Sequence, residues 1–339
     1  MSNLLDAELP IAAAPMAGGP SSPALVNAAG AAGAFAFLPA GYRSPAAFAE
    51  DLAAVRSQGR PFGVNLFVPQ ADEVDRAAFR TYAAELAPEA AAYDLTLDPT
   101  PKTDDDYWHQ KIDLLTSDPV AVVSLTFGLP DPADIRALQR AGSRVLATIT
   151  TPDEARRAAE AAIDGLVVQG PRAGGHSATY DPRREIGDEP TADVIAAVAA
   201  AVDLPLIAAG GVDGPETVRE LIAAGAQSVA VGTLLLRSFE AGTSATHRAA
   251  LADPAFTETV ITRAFTGQPA RGLRNGFIDR HEATAPVGYP AVHHLTRALR
   301  QAAARAGDAQ RVHLWAGTAF RGALERPTAD IIADLATRL

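Results

Sequence analysis

A short apolar run, a turn and an Ala-rich amphipathic stretch recur along most of the first 240 residues. Unbroken apolar runs of this length bounded by glycine or polar residues read as strands buried on both faces. Ile11–Ala14 predicts the first strand, and Ser22–Ala29 a helix closed by Gly30. Gly33–Leu38 predicts the second strand. Pro45–Ser57 predicts a helix, with Ala46, Phe48, Leu52 and Val55 at roughly helical spacing. Phe62–Phe67 predicts a third strand, and Val120–Leu125 a fourth with a helix over Asp131–Ala141. Arg144–Thr148 pairs in the same way with helix Pro152–Ala162, Gly165–Val168 with Thr191–Ala201, and Leu206–Ala209 with Pro215–Ala224. Ser228–Val231 is the eighth strand.

Strand-then-helix units repeated in one direction predict an α/β protein, a closed (β/α)8 TIM barrel rather than an open sheet. Ser44-Pro45, Thr151-Pro152 and Gly214-Pro215 place proline at the first helical position. Gly142 and Gly225 fall where helix C-caps belong. Two segments break the repeat. Residues 69–119 hold a helical stretch, Asp72–Leu86, and an acidic turn, Thr103–Tyr107. Beyond about residue 240 come an Arg- and Gly-rich stretch, Thr262–Phe277, then Tyr289–Ala304 and a final helix over Thr328–Leu339. The expected division is a barrel over 1–68 and 119–240, with 69–118 and 241–339 as added helical segments covering a substrate. Such added segments commonly carry specificity.

Composition narrows the function classes. The 339 residues are 48% hydrophobic, enough for one large core. A net charge of −11 argues against a nucleic-acid partner. With no cysteine, thiol nucleophiles, disulfides and zinc-thiolate sites are excluded. No signal peptide is read in the first ten residues and no run long enough to span a bilayer, so a cytoplasmic location is expected. No two histidines share ligand spacing, and neighbours such as His293 and His294 do not face each other on a helix. No metal site is expected.

The candidate chemistry gathers at predicted strand ends, where barrels place their sites. Gly210 and Gly211 follow the seventh strand, and Gly232 and Thr233 the eighth. Glycine-exposed N–H groups at the last two strands predict a phosphate site. Ala14, Pro15 and Met16 end the first strand, where methionine offers a polarizable surface to a flat ring. Asn65 in the third strand bonds either a neighbouring loop or a ring edge. Gln169 at the end of the sixth has the same two readings. Gly174 and Gly175 then permit close backbone approach, and His176 follows with a group that exchanges protons near neutral pH. Arg263, Arg271 and Arg274 are read either as holders of an anionic substrate or as surface pairs. Tyr180, Tyr289 and Trp315 are candidate pocket walls.

In order, Ala14–Gly19, Gly63–Asn65, Gln169–His176, Ala209–Gly211, Gly232-Thr233 and Ala264–Gly267 resemble the nitronate monooxygenases, formerly 2-nitropropane dioxygenases. The likeness runs from Ile11 to about Asn275 and resumes at Leu314–Gly317. It implies an FMN barrel in which Ala14–Met16 lie against the flavin ring and Asn65 and Gln169 bond the ring or ribityl chain. Gly174, Gly175, Gly210, Gly211, Gly232 and Thr233 would surround the phosphate. His176 would be the catalytic residue facing the substrate. The implied reaction takes an alkyl nitronate, or a nitroalkane, and O2 to a carbonyl compound and nitrite, in a monomer or homodimer. After His176 the family pattern is lost, since Ser177–Pro182 lacks the usual glycine-containing pair. That departure concerns the substrate more than the cofactor. The alternative reading is a flavin-dependent enoyl-thioester reductase using NAD(P)H. A non-flavin barrel for a phosphorylated ligand ranks below both.

Overall fold

The computed structural model describes residues 4–70 and 74–337. Its strands are β1 (Ile11–Ala13), β2 (Phe35–Pro39), β3 (Gly63–Phe67), β4 (Val122–Thr126), β5 (Arg144–Ile149), β6 (Gly165–Gln169), β7 (Gly175–His176), β8 (Leu206–Ala209), β9 (Ser228–Val231), β10 (Thr259–Thr262) and β11 (Ala270–Leu273). Eight of them are parallel and close a barrel in the order β1-β2-β3-β4-β5-β6-β8-β9. The seam is β1 against β9, with Ile11, Ala12 and Ala13 opposite Val229, Ala230 and Val231. The barrel expected from the apolar repeat is present, and its closure pairs every strand on both edges. Among the described residues no helix is long and apolar enough to cross a membrane.

The helices begin as their sequences dictate. Ser22, Ser44 and Thr151 each accept a backbone N–H from the first turn, and Pro23, Pro45 and Pro152 follow them. One predicted stop moves. Gly30 lies inside helix Pro23–Ala31, and the chain turns at Gly33 with a φ of +84°. The helix predicted from Asp72 runs over Arg76–Ala91, capped by Asp75; Asp72 itself lies outside the described residues. The final helix spans Thr328–Leu335, and its predicted end at Leu339 lies outside them as well.

The larger corrections concern the two irregular segments. Helix Trp108–Ser117, absent from the prediction, puts Trp108, Ile112 and Leu115 into the barrel core. Their i, i+4, i+7 spacing was the available signal. The final helix joins the same core through Ile331, Ile332 and Leu335. Both helices therefore pack as part of the barrel's outer ring rather than in a separate cover. Helix Arg76–Ala91 does cover: Phe79, Tyr82 and Leu86 form a second core with Phe265, Phe277, Val292 and Leu299. The Arg- and Gly-rich stretch is not a surface loop. It contributes β11, which pairs antiparallel with β10 on one side and β7 on the other.

Phe48 is fully buried between helix Pro45–Arg56 and the barrel. Phe48→Ala is expected to cost about 3–5 kcal/mol of unfolding free energy in a denaturant titration. It lies outside the cavity described below, so ligand binding there should be retained.

Candidate active site

A cavity of about 730 Å³ opens at the carboxyl ends of the barrel strands, a size suited to a cofactor with its substrate. Every strand-end residue singled out above lines it: Ala14, Pro15 and Met16; Asn65; Gln169; Gly174, Gly175 and His176; Gly210, Gly211, Gly232 and Thr233. The seam brings the first and last of these loops together. A side-chain carbon at Gly232 would sit 3.4 Å from Met16 Sδ.

The glycines at the barrel mouth are required by backbone-on-backbone packing. A Cβ at Gly174 would lie 2.4 Å from Gly317 N, and one at Gly210 2.8 Å from Ala173 N. Gly210 also has a φ of +105°. Thr233 Oγ1 accepts the Gly317 N–H at 2.9 Å, which leaves its own proton to donate into the cavity. Glycine turns and a free hydroxyl proton, with no carboxylate among them, suit a phosphate.

Two strand-end amides prove to be partly engaged by the protein. Asn65 Nδ2 donates to Ser124 O, Ser124 Oγ and Thr126 Oγ1 at 2.9–3.2 Å. Gln169 clamps the loop that carries the histidine: its amide nitrogen donates to His176 O at 3.0 Å, and its oxygen accepts from Ala178 N at 2.7 Å. Gln169 thus bonds the segment that follows it, while Asn65 bonds the adjacent strand β4 and not a loop. Asn65 keeps its carbonyl oxygen, and Gln169 one donor and one lone pair, beyond these bonds.

His176 is positioned from three directions. Its backbone pairs with Ala270 in β11, its carbonyl is held by Gln169, and its Nε2 is 2.9 Å from Thr266 Oγ1. Phe127, Tyr289 and Trp315 surround the ring at 5.5–5.7 Å. Burial, with a smaller effect from the Arg300 charge, pushes its pKa down to about 3. The imidazole is neutral throughout the physiological range. The divergent segment after it is anchored by buried Glu154, which accepts from Thr150 N, Thr179 Oγ1 and Tyr180 N.

Other candidates fall away. Arg263 donates to the carbonyls of Pro182 and Arg184, Arg271 to those of Pro171 and Thr259, and Arg274 pairs with Glu258 and Asp279. None of the three lines the cavity. Tyr180 packs against the barrel core instead of the cavity, under the Arg157 guanidinium. Trp315 does line it, and Tyr289 stands behind the lining against His176. What the sequence reading missed is a wall of buried nitrogen groups: Arg300, with the neutral imidazoles of His293, His247 and His313, lines the cavity, and Arg297 stands at its exposed rim. The three histidines look isolated in sequence, and only the helix over Ala291–Arg305 with its neighbours brings them together. Among the described residues no group of three or more His, Cys, Asp or Glu is arranged to hold a metal.

Comparison with known proteins shows the family of the chain. Residues 1–338 match the family described as nitronate monooxygenase. The chain belongs to the nitronate monooxygenase family. Relatives from Staphylococcus aureus, each called a probable nitronate monooxygenase, are 31% (strain MSSA476) and 32% (strain Newman) identical over 344 residues. Those alignments cover all of this chain and 96% of each relative. A solved nitroalkane oxidase from Streptomyces ansochromogenes is 44% identical with a TM-score of 0.94, covering 98% of this chain and 96% of its own. FabK from Thermotoga maritima shares the fold at 23% identity and a TM-score of 0.75, over 98% of this chain and 93% of its own. As a member of the nitronate monooxygenase family the chain is an oxidoreductase, and the family implies a flavin.

The buried imidazoles carry a pH consequence. His176 is pushed down to about 3 and His247 to about 4, both chiefly by burial. Unfolding would return each to about 6.5. The unfolded chain therefore binds more protons below pH 6.5, and stability falls as pH drops through that value. Each neutral histidine adds about 1.4 kcal/mol per pH unit to that loss. Thermal unfolding followed from pH 8 to pH 5 should show a falling Tm, and His247→Gln should flatten the slope.

Proposed function

We propose that the protein is an FMN-dependent enzyme that oxidises alkyl nitronates with O2 to a carbonyl compound and nitrite. One observation carries the reading: a single cavity joins glycine turns suited to a phosphate with a rigidly held, neutral imidazole. In this reading Gly174, Gly210, Gly211, Gly232 and Thr233 hold the FMN phosphate. Ala14–Met16 support the ring, with Asn65 and Gln169 on the ring or ribityl chain. FMN supplies the electron-transfer chemistry. The protein supplies binding, orientation and control of protons.

His176 decides which form of the substrate is used well. A base whose pKa is pushed to about 3 has little pull on a carbon-bound proton. An alkyl nitronate has already lost that proton and needs only to be bound beside the flavin. A neutral nitroalkane depends on His176 for its removal. The aromatic wall of Phe127, Tyr289 and Trp315 keeps the ring from water and from rotating. The Thr266 hydroxyl fixes its Nε2 side.

The test combines spectrum and turnover. The purified protein should be yellow, with one FMN released per chain on denaturation. Air oxidation of ethyl nitronate should release nitrite with a kcat/KM above that for nitroethane at pH 7. In His176→Gln, turnover of nitroethane should fall, by less than the roughly 10²–10⁴-fold of a well-matched base, while nitronate turnover falls far less. Equal retention of both activities in a flavin-replete variant removes His176 from the mechanism. Anaerobic bleaching by NADH or NADPH alone favours the reductase alternative.

A further inference from the structure

Arg300 is 4% exposed and lines the cavity, yet among the described residues no carboxylate pairs with it. Its Nε donates to Thr296 Oγ1 at 2.9 Å, and one terminal nitrogen donates to His293 O and His293 Nδ1 at 3.0 and 3.2 Å. Those contacts are made by neutral groups and leave the positive charge unbalanced. A buried guanidinium without a counter-ion is expensive, and proteins keep one where an anion arrives to pair with it.

The neighbours are donors too. A guanidinium can only donate, so His293 Nδ1 accepts and the ring proton lies on Nε2. His293 is 6% exposed, lines the cavity and stacks on Tyr42 with ring centroids 4.3 Å apart and planes 5° from parallel. Tyr42 accepts a hydrogen bond from Tyr289 at 3.3 Å, so its own hydroxyl proton is left to donate. Tyr42 has a left-handed φ of +67°, rare for an aromatic residue, and Asp106 accepts its backbone N–H at 3.0 Å. Asp106 is itself paired with buried Lys111 at 2.7 Å. Such outliers are retained where the side chain's placement matters. Tyr289 touches Tyr42, His293 and His176, so the donor group is one ring away from His176 in the same chamber.

We propose that Arg300, His293 and Tyr42 form an oxyanion subsite that binds a planar, singly charged oxyanion of the substrate. This goes beyond the nitronate reading by naming the residues that receive the negative charge, and it rests on that reading for the reaction only. An oxygen of a nitronate or of a carboxylate can accept from the second terminal nitrogen of Arg300, which no group among the described residues engages, with the His293 Nε2–H and the Tyr42 hydroxyl beside it. The subsite therefore receives either the nitronate head itself or a carboxylate carried on the same molecule. It is distinct from the glycine turns proposed to hold the phosphate, which other loops supply.

The probe is nitrate, a planar oxyanion that cannot be oxidised. Nitrate binding to the purified protein, with the cofactor it carries, is measured by titration calorimetry, beside nitronate kinetics. Arg300→Met should weaken nitrate binding and raise KM about 10- to 100-fold, the loss expected for hydrogen bonds to a charged group. Flavin content and Tm should be unchanged or higher, because an unpaired buried charge is removed. Tyr42→Phe should weaken nitrate binding less than tenfold. Ethyl nitronate and propionate 3-nitronate separate the two sources. A KM rise for both assigns the head, and a rise confined to the carboxylate-bearing compound assigns the tail. Unchanged nitrate affinity in Arg300→Met overturns the proposal, as does loss of flavin from that variant, which would place the guanidinium in the cofactor's service. Failure of the wild-type protein to carry flavin would count against the FMN reading alone, since nitrate binding is measured without turnover.

Discussion

Closure of the barrel along the β1–β9 seam is the constraint on which the rest depends. Three residue pairs, Ile11–Val229, Ala12–Ala230 and Ala13–Val231, bring the first strand of the chain beside the last of the barrel. Parallel pairing then sends every strand's carboxyl end to the same rim. Loops separated by more than two hundred residues meet there, with Met16 against Gly232. An open sheet of the same strands would leave those loops at opposite edges. The interior residues are small and apolar near the seam, which lets the strands tilt and pack without a void.

Upon that rim the protein lays a second layer. The small sheet β10-β11-β7 grips the strand that carries His176, and helix Arg76–Ala91 packs on the far side through Phe79, Tyr82 and Leu86. Tyr82 donates its hydroxyl to Ala264 O at 2.6 Å, tying this helix to the turn that carries Thr266. The covering layer therefore does more than exclude water. It fixes the imbalance of the cavity, where imidazoles, a guanidinium and hydroxyls converge with few carboxylates near them. Burial keeps those imidazoles neutral, and Arg300 adds to the effect at His176. A site so poor in acidic groups suits ligands that bring their own negative charge, as the proposed phosphate and substrate oxyanion do.

Residue type and position made part of this site readable. Gly210 and Gly232 follow apolar strands directly, Gly174 lies five residues past one, and a strand end has one place to go in a barrel. Gln169 and Asn65 were recognisable as polar groups in apolar runs, but their partners were not. Gln169 bonds backbone atoms seven and nine residues on, and Asn65 bonds the adjacent strand fifty-nine residues away. Arg263, Arg271 and Arg274 were read as a set because they are close in sequence. On or near two paired strands they point to different carbonyls and carboxylates, and none reaches the cavity.

Local pattern alone determined the alternation of strand and helix, the barrel class, and the loops that would meet at its mouth. The reason is that apolar runs, proline starts and glycine turns act over a few residues. Resemblance carried by those loops pointed to the family. Tertiary structure alone decided the wall of Arg300 and its neighbouring imidazoles and the pairing of His176 with Ala270. It also decided the inclusion of helices Trp108–Ser117 and Thr328–Leu335 in the barrel's ring. Those features depend on burial and on contacts between distant segments. Tyr42 and His293 are 251 positions apart in sequence and stack at 4.3 Å, and no periodicity in either segment encodes that contact.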